Sequence, residues 1–326
     1  MRVCVFGAGA IGGHLAMRFA RGGAEVSVVA RGPHLAAIQR DGLTVHAIDG
    51  AFNVKVAASD DPAALGPQDA VVVTVKAPAL PQVAAAIGPL LRPDTGVAFV
   101  MNGIPWWYFH ALPGKLEGRR LPHIDPNDAL WRTVGPERAI GGVVYAASEV
   151  KAPGVIEVEQ PRSRVVFGEP DGRTSDRAEA LAALLRAGGI MGEVSPDIRT
   201  ELWNKLINNL AGGTLAVLAG VAPKHVYAEP ACAEAGKRVM QEAAAVAEAL
   251  GSKPNHGFDQ RIAGQAGMDH KPSILQDLEL GRPMEVNGLF DAPVELARMA
   301  GVPAPTLELL VALAKVRARG AGLYEG

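Results

Sequence analysis

The chain reads Gly7-Ala8-Gly9-Ala10-Ile11-Gly12 directly behind the apolar run Val3-Cys4-Val5-Phe6 and ahead of a helical stretch from Gly13 to Arg21. Strand, glycine turn and helix N-terminus in that order match what a dinucleotide pyrophosphate needs. Gly7 allows the tight turn, Gly9 lets the backbone approach the phosphates, and Gly12 lets the helix pack close to the strand. The first-turn N–H groups, those of Ala10 and Ile11 among them, then point at the anion. The pattern alone is a weak signal, because glycine supplies 38 of the 326 residues. Its context is stronger: a second strand, Glu25-Val26-Ser27-Val28-Val29-Ala30, follows at the spacing a βαβ unit requires.

The end of that second strand bears on the choice of cofactor. NAD sites place a carboxylate there for the ribose 2′-OH, whereas NADP sites supply a cation for the 2′-phosphate. Here the strand runs out as Ala30-Arg31-Gly32-Pro33, with no carboxylate until Asp41. NADPH is the expected cofactor, with Arg31 as the planar donor to phosphate or adenine.

A chain of this length is expected to form two domains of about 150 residues each. Its 48% hydrophobic and 20% charged residues fit globular cores, and a net charge of −2 gives no electrostatic case for nucleic acid or an anionic membrane. Cys4 and Cys232 are the only cysteines and stand outside any CxxC or His/Cys cluster, which argues against a disulfide framework or a metal site. Apolar stretches such as Leu210 to Ala222 are too short to span a bilayer. With no targeting segment visible ahead of the first strand, the expectation is a cytoplasmic protein.

Further strands are expected at Asn53–Val56, Ala70–Val75 and Gly96–Val100, alternating with helix such as Ala79 to Leu91. Val143–Tyr145, Gly154–Val158 and Arg164–Gly168 then crowd together as closing, partly antiparallel strands of the same sheet. Glu169-Pro170-Asp171-Gly172-Arg173 is rich in turn formers and reads as a linker. The fold expected is α/β: an N-terminal Rossmann domain over 1–170, binding NADP, and a C-terminal all-helical domain over 171–326 carrying substrate and catalysis. The cleft between the two is the expected meeting place of substrate and nicotinamide. One stretch breaks the repeat. Residues 104–134, with Trp106-Trp107-Tyr108-Phe109, exceed an ordinary connection and read either as a lid over substrate or as a dimer patch.

Polar residues near strand ends and on helices are the candidates for chemistry. Lys76 and Asn102 follow strands at the carboxyl edge of the sheet, beside the presumed crevice. Ser195-Pro196-Asp197 reads as an N-cap, a proline at the first helical position and an acid in the first turn. On the helix that follows, Lys205 and Asn209 share a face, four residues apart. An ammonium there can protonate the alkoxide formed when hydride reaches a carbonyl carbon, and the amide can bind substrate. By spacing alone a solvated Lys/Asn face, the commoner fate of a lysine on a helix, is the favoured reading. Glu285 opens a later helix, where a carboxylate suits the dipole; near Lys205 it would hold and tune the ammonium.

Together these motifs resemble the ketopantoate reductase (2-dehydropantoate 2-reductase) family over essentially the whole chain. The resemblance rests on Gly7–Gly12, Arg31, Val75-Lys76-Ala77, Asn102-Gly103, Glu201-Leu202-Trp203-Asn204-Lys205-Leu206, Ser273-Ile274-Leu275-Gln276-Asp277 and Gly281-Arg282-Pro283-Met284-Glu285. It implies NADPH-dependent reduction of a 2-keto acid on the route to pantothenate and coenzyme A. Carried over by position, it implies Lys205 as general acid, Glu285 as its supporting carboxylate, Asn209 and Ser273 as substrate ligands, and Asn102 as the asparagine near the nicotinamide. Arg31 and Lys76 match the cofactor-side positions. Where the family commonly has a second asparagine eight residues after the lysine, this chain has Gly213. A different 2-keto acid, or a non-catalytic NADPH-binding sensor, are the alternative readings, and homodimerisation through helical surfaces is compatible with the pattern.

Overall fold

The computed structural model describes residues 1–159 and 162–325; Gln160, Pro161 and Gly326 lie outside the described residues. Two compact units emerge, Met1–Met101 with Pro105–Ile198, and Asn102–Ile104 with Arg199–Gly326.

Among the described residues the first unit holds twelve strands: β1 (Arg2–Phe6), β2 (Glu25–Val29), β3 (Leu43–Ala47), β4 (Gly50–Val54), β5 (Ala57–Ser59), β6 (Ala70–Val73), β7 (Gly96–Val100), β8 (Ala139–Tyr145), β9 (Ser148–Ala152), β10 (Val155–Val158), β11 (Arg164–Gly168) and β12 (Met191–Val194). Its helices are α1 (Ala10–Arg21), α2 (Gly32–Asp41), α3 (Leu80–Ala86), α4 (Ala129–Thr133) and α5 (Asp176–Ala187). The main sheet runs β12-β11-β8-β7-β6-β1-β2-β5. All its pairs are parallel except β11 with β8. The apolar runs noted in the sequence are its buried central strands: β6 is buried at all four positions and β7 at all five.

The sequence reading placed all three closing strands in one sheet, and the structure corrects this. β10 leaves for a second, four-stranded sheet, β4-β3-β10-β9, in which it pairs parallel with β3 and antiparallel with β9. Helix α1 lies between the sheets, in contact with β1 and β2 on one side and β3, β4, β9 and β10 on the other. That position explains a helix buried nearly all round. Arg18, only 3% exposed, forks onto both oxygens of Asp49 at 2.6 Å in the β3–β4 turn. The guanidinium holds the Asp49 carboxyl down at about 2.

The stretch Glu169–Arg173 is not a linker. Glu169 is 2% exposed and accepts from Arg177 Nε at 2.7 Å and Ser175 Oγ at 2.5 Å. The chain then builds α5 and adds β12 to the edge of the main sheet, so the compact units part at Ile198/Arg199 instead of 170/171. The aromatic stretch also differs from both of its readings. Trp106, Trp107, Tyr108 and Phe109 are at most 1% exposed, so they form interior and not a lid or an open patch. Trp106 packs edge-on against Phe99 and Trp131, and Arg120 lies over the Trp131 ring. The Asp125 carboxylate accepts from the N–H groups of Leu130 and Trp131, capping α4.

The second unit is helical: α6 (Ile198–Ala219), α7 (Pro223–Val226), α8 (Pro230–Ala249), α9 (Phe258–Ala266), α10 (Ser273–Glu279), α11 (Ala292–Ala300) and α12 (Pro305–Gly320). Helix α6 begins at Ile198, two residues later than Ser195 as an N-cap requires; Ser195 Oγ instead accepts from the Asp197 N–H at 3.1 Å in the preceding turn. Helix α8 packs against α9, α11 and α12. Arg261 and Gln265 of α9 bind Asn204 and Asn208 of α6, at 2.8–3.0 Å.

Candidate active site

Strand β1 lies between β2 and β6, where the sheet order turns back, so its C-terminal end opens the crevice in which doubly wound sheets take ligands. Gly7, at φ +103°, makes the turn there. The loop is braced from several sides: Gly7 and Ala8 N–H donate to Val29 O, and Thr74 Oγ1 donates to Gly7 O at 2.7 Å. His34 adds a brace that sequence reasoning missed. Its Nδ1 accepts from Gly154 N–H at 3.0 Å, which assigns the proton to Nε2 for donation to Ala8 O at 2.6 Å. A histidine two residues into α2 carries no spacing signal that could have marked it.

A dinucleotide fits this loop on three observations. The N-cap of α1 is Gly9, which has no capping side chain, so the N–H groups of Ala10, Ile11 and Gly12 face an approaching anion. A Cβ built on Gly9 meets nothing within 4 Å, so the backbone there is open to a close neighbour. A Cβ on Gly12 would collide with Gly7 O and Thr74 Oγ1, as close packing of helix on strand demands. Arg31 is exposed just past β2, at the N-cap of α2. Lys76 is exposed three residues past β6, ahead of a short 3₁₀ turn.

A second cluster lies in the helical unit. Lys205 Nζ donates to Asn102 Oδ1 at 2.8 Å, and Asn102 Nδ2 reaches Glu285 Oε2 at 3.5 Å. Three residues scattered over the chain thus meet. Their alignment is set by backbone. Gly103, at φ +83°, presses against the Gly288 peptide so closely that no side chain would fit. Ile104 N–H donates to Gly288 O at 2.9 Å, and Leu289 N–H donates to Glu285 O at 3.1 Å, at the start of a π-helical turn over Asn287–Asp291. Glu285 is 4% exposed. Burial lowers the Lys205 ammonium from 10.5 to about 8, and the Glu285 carboxylate opposes the fall.

Asn209 lies one turn beyond Lys205 on α6, and Gly213 one turn beyond that, all on one face. A Cβ on Gly213 would sit 3.5 Å from Ile274 Cγ2 and 3.6 Å from Phe290 Cε1, so the first turn of α10, which Ser273 opens, lies against this face. The neighbouring Asn204 and Asn208 are engaged with α9 instead. The sequence-derived residues therefore gather at two places: Gly7–Gly12, Arg31 and Lys76 in the sheet unit; Lys205, Asn102, Glu285, Asn209 and Ser273 in the helical unit.

Comparisons with known proteins agree over the whole length. Residues 3–172 match the family Ketopantoate reductase PanE/ApbA, and residues 197–318 match its C-terminal domain. A 2-dehydropantoate 2-reductase of Mesorhizobium japonicum is 42% identical over 99% of this chain and 100% of its own. A solved Ralstonia solanacearum protein ascribed to the ketopantoate reductases is 36% identical, with a TM-score of 0.92 over 99% of both chains. D-mandelate dehydrogenase, solved with NADH and anilino(oxo)acetate, shares the fold at 19% identity, with a TM-score of 0.82 over 99% of this chain and 100% of its own.

Proposed function

From the premise that this chain belongs to the ketopantoate reductase family, we propose that it reduces ketopantoate (2-dehydropantoate) to pantoate with NADPH, on the route to pantothenate and coenzyme A. The observation that carries the reading is the Lys205–Asn102–Glu285 cluster: an ammonium held by an amide and steadied by a buried carboxylate. Carbonyl reduction needs a proton donor that is charged at neutral pH yet gives up its proton readily, and a lysine near 8 meets both demands. Asn102 accepts from one of the three Nζ hydrogens and so sets their direction. Lys205 gives its proton to the alkoxide oxygen at C2, and Glu285 stabilises the charged form beforehand. Asn209 and Ser273 offer an amide and a hydroxyl to the substrate's carboxylate and hydroxyl groups.

The glycine loop would hold the pyrophosphate on the N–H groups of Ala10, Ile11 and Gly12. Arg31 and Lys76 would meet the charged adenosine side, with Arg31 on the 2′-phosphate. NADPH is favoured over NADH because no carboxylate lies between Ala30 and Asp41 to accept from a 2′-OH. When bound, it supplies the hydride to C2. A reduced cytoplasmic setting suits the free Cys4 and Cys232, and among the described residues no helix is long and apolar enough to cross a membrane.

Gly213 favours a second, narrower reading. The carbon groups of Ile274 and Phe290 beside it offer no hydrogen bond, so a 2-keto acid more apolar than ketopantoate would fit that end of the face. The test is the absorbance of reduced nicotinamide followed against ketopantoate and a panel of 2-keto acids with apolar branches. Highest kcat/KM on ketopantoate supports the main reading. Preference for a branched apolar acid replaces it with the second, and tight NADPH binding with no turnover on any of them leaves a sensor.

A further inference from the structure

Glu285 lies near the start of a short stretch whose two ends are both held by the chain that follows α12. Helix α12 ends in a Schellman turn: Gly322, at φ +70°, takes the left-handed conformation, its N–H donates to Arg319 O at 2.9 Å, and Leu323 N–H donates to Ala318 O at 3.0 Å. That turn sends the chain back toward residues 284–291. Leu323 O accepts from Met284 N–H at 3.3 Å, immediately before Glu285. Tyr324 Oη donates to the Asp291 carboxylate, at the last residue of the π-helical turn that follows Glu285. Lys315, from α12 itself, donates to the other Asp291 oxygen at 2.5 Å.

The grip on Asp291 is partly sheltered, with the Asp291 and Lys315 side chains 21% and 24% exposed. Lys315 Nζ and Arg319 Cζ stand 5.7 and 5.4 Å from the centre of the Tyr324 ring and hold it by its π-face. Burial and the Asp291 carboxylate push the Tyr324 hydroxyl above the ordinary phenol range, so it stays a donor through neutral and alkaline pH. What lies between the two grips has little tolerance for movement. Its Gly288 peptide meets Gly103 with no room for a side chain. Glu285 Oε2 stands 3.5 Å from Asn102 Nδ2, the outer limit of a hydrogen bond, so a retreat of a few tenths of an ångström breaks the link toward Lys205.

We propose, on the catalytic reading of Lys205 and Glu285 above, that Leu323 and Tyr324 are positioning residues for Glu285, a clasp that keeps its carboxylate where it supports the Lys205 ammonium. Their action is indirect. The Leu323 carbonyl fixes the backbone at Met284, the Tyr324 hydroxyl fixes it through Asp291, and Glu285 between them reaches the chemistry. When the clasp slackens, the carboxylate withdraws, and the ammonium that burial has already lowered falls further.

The test is the pH profile of kcat/KM, on the 2-keto acid reduced best, for the wild-type chain, Tyr324→Phe, Glu285→Gln and the double variant. Tyr324→Phe removes one hydroxyl and keeps the ring and the net charge, so the fold is preserved and no added charge acts on Lys205. The inflection should fall from about 8 by about 0.5 pH unit, which lowers kcat/KM about twofold at pH 8, about threefold at pH 9 and hardly at all at pH 6. In the Glu285→Gln background the same exchange should add nothing, because both act through one group. Gly322→Val points into open space and so disturbs only the left-handed turn; it should move the inflection the same way, by up to about 1 unit. An inflection unmoved by Tyr324→Phe overturns the clasp, as does one that rises, which would report water reaching Lys205. A Tyr324→Phe effect undiminished in the Glu285→Gln background assigns the contact to general stability and also overturns it. A wild-type profile without an inflection, or an inflection that persists in Lys205→Ala, defeats the catalytic reading itself and the clasp with it, so the two failures are told apart.

Discussion

The glycine loop of the sheet unit and the Lys205 cluster of the helical unit, the two parts of the proposed site, are built by opposite means. The loop offers backbone: Gly9 presents open peptide, and the helix start is uncapped. The cluster offers side chains: an ammonium, an amide and a carboxylate, aligned by the Gly103–Gly288 contact. A backbone site binds by shape and by the direction of its N–H groups, so its sequence must be contiguous and nearly free of side chains. A side-chain site places ionisable groups where they can transfer a proton, so its members can come from anywhere in the chain. The difference implies that damage to one should impair binding, and damage to the other, turnover.

The sharpest break is Lys205→Ala. It should lower kcat by about a thousandfold, within the range a general acid contributes, while the Kd for NADPH from fluorescence titration changes by less than about threefold. Turnover that survives the change would remove Lys205 from the reaction.

Within the loop, two glycines test space against contact. Gly9→Ala adds a methyl group where the structure holds nothing, so melting should be unchanged while NADPH affinity falls by about ten- to a hundredfold. Gly12→Ala drives the methyl into Gly7 O and Thr74 Oγ1, so it should lower Tm by several degrees, for a strain of about 1–3 kcal/mol, as well as weaken NADPH. Equal Tm for the two variants would mean that the loop is not built as described. Arg31→Ala should act more gently still, weakening NADPH by about tenfold and NADH hardly at all, since it removes the proposed charge-assisted partner of the 2′-phosphate.

Legibility in the sequence follows the same division. The loop and βαβ unit were readable because strand, turn and helix start lie within two dozen consecutive residues. The second sheet was not, because β10 pairs with β3 across more than a hundred residues and its short apolar run resembles any buried strand. The aromatic stretch misled for a related reason: composition marks tryptophans as large and apolar but does not say which surface they cover. In the helical unit, Lys205 and Asn209 showed a shared face, but spacing alone favoured a solvated one. Position alone offered Lys205, Asn102 and Glu285 as candidates, and only the family resemblance decided between their bland and their catalytic readings. Their meeting depends on a left-handed Gly103 against Gly288, a contact that neither residue's neighbours foretell.

The smallest expected effect separates positioning from chemistry within the cluster. On the proposed mechanism Lys205 is the acid and its active form is protonated, so kcat/KM for reduction should fall as pH rises through about 8. In the oxidation direction the deprotonated amine is the active form, so the same group should make the rate rise over that interval. Burial pulls the ammonium down and Glu285 pulls it back up, which fixes the sign of the Glu285→Gln effect. The neutral amide keeps an oxygen for Asn102 to donate to but loses the carboxylate's opposition, so the inflection should move to lower pH. At neutral pH a smaller fraction of Lys205 would then carry its proton, and reduction would slow, most visibly above pH 7 and least in acid. A residue that merely filled space would lower the rate equally at every pH. An inflection unmoved by Glu285→Gln would therefore leave Glu285 as packing and assign the tuning of Lys205 to burial alone.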